Sequence, residues 1–124
     1  MLRAVNDADV NVQRSALSTL ETRPDPLAAR AVSGLLTRSK SWSLRRQAAQ
    51  TLGRMGTAAR GDEVLAALEA AALKDAYALV RDAAVRASFA VDAQGARSVL
   101  ERVARADPEP DVQATARALL ERSR

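Results

Sequence analysis

One pattern occurs four times in this chain: an aliphatic residue, an alanine four positions on and, in three copies, a leucine four beyond that. The copies are Val12/Ala16/Leu20, Leu44/Ala48/Leu52, Val80/Ala84/Ser88 and Val112/Ala116/Leu120. The spacing puts each trio on a single helical stripe. From Val12 to Leu44, Leu44 to Val80 and Val80 to Val112 the intervals are 32, 36 and 32 residues. An apolar stripe that returns at nearly constant intervals cannot bury itself and must stack on its neighbours, which is the requirement of a repeat array.

A second series lies between these copies: PLAARAVSGLLTR from Pro26, GDEVLAALEAAALK from Gly61 and GARSVLERVARA from Gly95. Val32, Leu68 and Leu100, with Leu35, Ala71 and Val103, hold the same register relative to the helices that follow. Each unit is therefore read as a helical hairpin. The approximate units are 1–22, 25–56, 61–92 and 94–124, the first incomplete because Met1 to Val5 reads as only the tail of a first-type helix. The helix from about Asp9 to Glu21 is thus expected to expose an apolar face, as a contact for further repeats or another chain.

The punctuation fits. Pro24, Pro26, Pro108 and Pro110 all fall between helices, Asp25-Pro26 and Glu109-Pro110 read as N-cap followed by N1, and Gly53 and Gly56 are expected to close a helix. Only Gly34 is expected inside one. Ser88 and Phe89 depart from the third stripe, and a local rotation that lets Phe89 fill the core is expected there.

At 124 residues the chain is one domain's worth. Hydrophobic residues make up 48% but aromatics 2%, so Ala, Leu and Val must fill the interior, which suits closely approaching helices. With no cysteine and no histidine, disulfides, thiolate nucleophiles, sulfur-based zinc sites, the usual general base and the common triads are excluded. No Asp-rich calcium loop or Gly-rich phosphate loop is present. The expectation is a non-enzymatic chain with no cofactor and no metal. MLRAVNDADVNVQ has no long apolar run, so neither a signal peptide nor a membrane span is read and a cytoplasmic location is the default.

Helical arrays of this period include tetratricopeptide and ankyrin repeats, but their signatures do not recur here. What recurs is D-x4-V-[RQ]-x2-A: Asp75/Val80/Arg81/Ala84 in full, Asp7/Val12/Gln13 and Asp107/Val112/Gln113 with Gln, and Ser39/Leu44/Arg45 without the Asp. With DPEPDVQATARALLER and SWSLRRQAAQTLGRMG, this pattern resembles the HEAT-like repeats of the short bacterial, PBS-lyase type over nearly the whole chain. The resemblance implies an all-α right-handed solenoid, about three and a half stacked hairpins. It also implies a polar ladder between adjacent repeats, here Asp7, Arg45, Asp75, Arg81 and Asp107, of which only Asp75/Arg81 is complete within one copy. The second helix of each hairpin would line the concave surface.

On that helix, the positions two and six after the lead residue should face away from the core. They hold Arg14 and Ser18, Arg46 and Gln50, Asp82 and Arg86, and Ala114 and Ala118, with Arg54 near one end. The resulting basic strip is interrupted by Asp82 and broken by the alanines. Trp42, two positions before its lead residue, reads either as packing at the helix start or as an exposed binding anchor. The candidate partner-binding set is Arg14, Trp42, Arg46, Gln50, Arg54 and Arg86. Tyr77 stands in an inter-helix turn, so no aromatic interleaving of the kind that stacks exposed bases is read.

The function implied is a scaffold that binds a protein or peptide, acidic where it meets the basic strip. The alternative is nucleic acid, since net charge is +4 and some HEAT-like DNA-repair glycosylases resemble basic solenoids that cradle a duplex. Their aromatic and acidic site motifs find no match here. Of the HEAT-built enzymes, the di-iron hydroxylases require His-Glu pairs, and a phycobilin lyase would need a longer array and a pigment pocket.

Overall fold

The computed structural model describes residues 2–6 and 9–123. Among these residues eight α-helices follow one another: α1 (Leu2–Val5), α2 (Val10–Thr22), α3 (Ala29–Arg38), α4 (Trp42–Met55), α5 (Asp62–Lys74), α6 (Ala78–Val91), α7 (Arg97–Ala106) and α8 (Pro110–Arg122). Short 3-10 turns at Pro26–Ala28 and Gly56–Ala59 precede α3 and α5, and no strand occurs among the described residues. α1 packs on α2, α3 on α4, α5 on α6 and α7 on α8. Contacts also run α1 to α3 to α5 to α7, and α2 to α4 to α6 to α8. The molecule is thus an all-α solenoid of two helical layers. We call α1, α3, α5 and α7 the first layer and α2, α4, α6 and α8 the second.

The core follows the stripes. Leu20, Leu44, Leu52, Val80, Ala84, Ala116, Val32, Leu68 and Leu100 are all at most 1% exposed, whereas Val12, at the open side of α2, is 37% exposed. Ser88 keeps its place in the third stripe, fully buried, because its hydroxyl donates to the Ala84 carbonyl at 2.8 Å and so needs no outside partner. No rotation of α6 occurs. Phe89 is half-buried beside the stripe, with the Arg122 guanidinium 5.5 Å from its ring centroid.

Where the second-layer helices meet, small residues set the distance. Gly53 lies within the last turns of α4 rather than closing it, and a Cβ there would stand 3.2 Å from the Ala87 Cα of α6. This is the close crossing that the alanine-rich composition implied. The helix is closed by Gly56, whose φ of 59° lies in the left-handed region and whose amide donates back to the Gly53 and Leu52 carbonyls. Gly34 in α3 meets no helix: its missing Cβ would encounter only the tip of its own neighbour's side chain, Arg38.

Candidate functional site

Two polar systems flank the second layer, one on the turns between the hairpins and one on the exposed face of the helices. The first begins at the residue after each lead aliphatic. Arg45 donates through Nε and Nη2 to the Asp75 carboxylate at 2.8 and 3.2 Å, and through Nη1 to the Ser39 carbonyl at 2.9 Å. Arg81 repeats the arrangement with Asp107 at 2.9 and 3.3 Å and with the Asp75 carbonyl at 2.9 Å. Asp75 and Asp107 each also accept a backbone amide, from Tyr77 and Glu109. The Arg81 and Asp107 side chains are 9% and 2% exposed, so the pair is buried, and its guanidinium and carboxylate are fully hydrogen-bonded.

The pairing therefore runs between copies, from the Arg of one to the Asp of the next. Gln113 occupies the Arg position in α8 and donates to the Asp107 carbonyl at 2.9 Å, while Gln13 in α2 reaches the Val5 carbonyl at 3.4 Å. A glutamine has the arm for its own repeat's carbonyl but no second arm for the next repeat. Across the α2–α4 joint both charges are missing, since Gln13 faces a copy that has Ser39 in place of Asp. That joint is bridged instead by Arg14 to Ser43 at 2.7 Å and by Gln47 to the Arg14 carbonyl and the Ser18 hydroxyl at 3.1 and 3.3 Å. Asp7 lies outside the described residues.

The arginine strip on the outer face is less uniform than its spacing suggests. Arg14 is half-buried and committed to the bridge just described. Arg86 pairs with Asp82 one turn earlier at 2.8 Å, and Thr115 of α8 donates to the same carboxylate at 2.6 Å. Arg54, 69% exposed, stands 3.7 Å from Glu21. Arg46 has no hydrogen-bond or ion-pair partner among the described residues, and neither has Gln50.

Arg46, Gln50 and Arg54 on α4 face Asp82 and Arg86 on α6 across a groove of about 530 Å³. Its floor is Ala49, Gly53, Ala83 and Ala87, the small residues of the close crossing, and one end is formed by Leu79, 49% exposed. The i, i+4 spacing of Asp82 and Arg86 made their ion pair legible in the sequence. Leu79 carried no signal, because the equivalent positions in other copies are Asn11, Ser43 and Asp111. A larger recess, about 700 Å³, lies in the first layer between α3 and α5; Arg30 there pairs with Glu63, and Arg38 lies against Gly34.

Trp42 is half-buried at the first turn of α4 and stacks on Tyr77 of the next hairpin, with ring centroids 5.5 Å apart and planes inclined by 17°. The sequence spacing kept these aromatics apart; the structure brings them together, since one repeat period separates Trp42 from Ala78, beside Tyr77. The Arg45 guanidinium lies 5.8 Å from the Tyr77 centroid, so the stack sits over the Arg45–Asp75 pair and limits its contact with water.

The layers, the between-copy ion pairs and the single repeated hairpin define the class: an α-solenoid whose units stack through their second helices. Residues 1–88 match the family of HEAT repeats, and the chain belongs to that family. The fourth hairpin, beyond the match, repeats the same joint through Arg81 and Asp107. No curated protein and no solved structure matches the chain. Among the described residues no helix is long and apolar enough to cross a membrane.

Proposed function

We propose that this protein is a non-catalytic interaction module of the cytoplasm that holds a segment of a protein partner in the groove between α4 and α6. HEAT repeats generally act as scaffolds for protein interactions, and the second-layer face is the concave side that the family resemblance implies. The observation that carries the reading is Arg46. A half-buried guanidinium without a partner among the described residues, on the wall of a groove that also presents a half-exposed Leu79, is a charge and an apolar contact held ready for a ligand. The exposed Val10 and Val12 on the open side of α2 offer a second contact, for further repeats or another chain.

Nucleic acid is the weaker reading. Of the four arginines in the strip, Arg14 is bound to its neighbouring helix, Arg86 is neutralised by Asp82 and Arg54 lies near Glu21. A phosphate backbone following the strip would meet two carboxylates.

The test is a selection of random linear peptides on the folded chain, followed by mapping of the recovered peptides by amide chemical shifts. The reading expects displacements at Gln50, Ala83 and Ala87. Recovered peptides that instead move the amides of α3 and α5, or a selection that recovers none, would overturn it.

A further inference from the structure

The groove is graded along its length, and the grading specifies a ligand. Because Leu44 and Val80 are equivalent lead positions, Leu79 lies level with Ser43, Asp82 with Arg46, Arg86 with Gln50 and Ala90 with Arg54. From the N-terminal to the C-terminal ends of α4 and α6, the walls present Leu79 first, then Arg46, unpaired among the described residues, and finally Arg54. The Trp42–Tyr77 stack stands at the same end as Leu79, so that end is apolar and the other basic. Leu79 and Arg54 are separated by eleven helical positions, about 16 Å at 1.5 Å per residue, and Arg46 and Arg54 by about 12 Å. An extended chain advances about 3.3 Å per residue, so five or six residues span the groove and roughly four separate groups that meet the two arginines.

We infer that the ligand of this groove is an extended peptide segment with an aliphatic residue at one end and two carboxylates beyond it, the first one or two residues on and the second about four residues later. This rests on the reading of the groove as the binding site. The alanine and glycine floor leaves the helices close together and the channel shallow, which admits an extended backbone and leaves no room for an inserted helix. Arg46 supplies the uncommitted charge. Arg54, 3.7 Å from Glu21, is free to turn to a closer carboxylate, while Asp82 keeps Arg86 from acting as a third anion site. The chemistry thus selects two negative charges at a set distance from an apolar side chain, not negative charge in general.

The test uses the full chain and a set of short synthetic peptides carrying leucine and two glutamates at these spacings. Matched peptides have both glutamates replaced by glutamine, the leucine replaced by alanine, or the order scrambled, and a generic DNA duplex is added as a probe. Binding is followed by calorimetry and by the amide shifts of Gln50, Ala83 and Ala90. The expected result is that the parent peptide moves these amides, that its glutamine counterpart binds about tenfold or more weakly, and that Arg46→Ala and Leu79→Ala each weaken the parent by a similar factor. Rising salt should weaken the parent peptide and leave the glutamine peptide unaffected.

If the glutamine or scrambled peptides move the same amides as strongly as the parent, the ligand chemistry is overturned and the groove stands as a site. If no peptide moves them, both are overturned. If the duplex binds in place of the peptides and Arg46→Ala weakens it, the ligand is nucleic acid and the inference fails.

Discussion

Asp107 accepts from Nε and Nη2 of Arg81 and from the Glu109 amide, and its side chain is 2% exposed. A carboxylate so placed matters less for the energy of its ion pair than for what its removal leaves behind, a buried guanidinium with no counter-charge. Asp107→Ala should therefore destabilise the fold by about 3–5 kcal/mol, read as a lower urea midpoint. The double change Arg81→Met with Asp107→Leu should recover most of that loss, because it removes both charges. A double variant no more stable than the single one would mean that the rung acts through something other than charge compensation. The residue types of this ladder were readable in the sequence, but its direction was not. Within a copy, Asp75 and Arg81 suggest a pair six residues apart, whereas Arg81 gives its Asp75 contact to the carbonyl and its charge to Asp107. The rule becomes visible only when one copy is compared with the next: Arg45 precedes Asp75, Arg81 precedes Asp107, and Gln13 precedes Ser39.

At the level of helices, the two glycines inside them have opposite roles. Gly53 brings α4 to α6, and Gly53→Leu should wedge the joint apart at a cost of about 1–3 kcal/mol or more. Gly34→Ala meets only the movable end of Arg38 and should raise stability by up to about 1 kcal/mol, through the helix propensity of alanine. Denaturation midpoints that shift in the same direction for both would contradict this assignment. Helix positions, the hairpin order and the buried stripes were legible because a period of 3.6 residues, four prolines and several caps all agree on them. Lateral contacts were not. Nothing local marks Trp42 and Tyr77 as stacking partners or places Leu79 at a groove end, since both depend on how closely α4 and α6 approach. The expected rotation at Ser88 failed because a serine can satisfy its hydroxyl on its own helix.

For the molecule as a whole, stability in a stacked array is close to a sum of unit terms and joint terms, so unequal joints should open unequally. The α6–α8 joint has a buried ion pair, whereas the α2–α4 joint has part-exposed contacts, those around Arg14 and Gln47 and the Arg54–Glu21 approach at 3.7 Å. Native-state hydrogen exchange should show α2 opening at a lower free energy than α8, and α8 opening first would contradict the joint assignment.

The second layer has one side whose side chains hold the stack together and an outer face whose charges are less committed, and two adjacent residues fall on either side of that division. Arg45 is bound to Asp75, Ser39 and the Tyr77 ring, whereas Arg46 is bound to nothing among the described residues. Equilibrium unfolding of Arg45→Ala and Arg46→Ala side by side is the most direct test. The account predicts a loss of about 3 kcal/mol or more for Arg45→Ala, because Asp75 is left nearly buried and unpaired. For Arg46→Ala it predicts a change within about 0.5 kcal/mol, as for a surface position without a structural partner. Equal losses at the two positions, or a larger loss at Arg46, would contradict it.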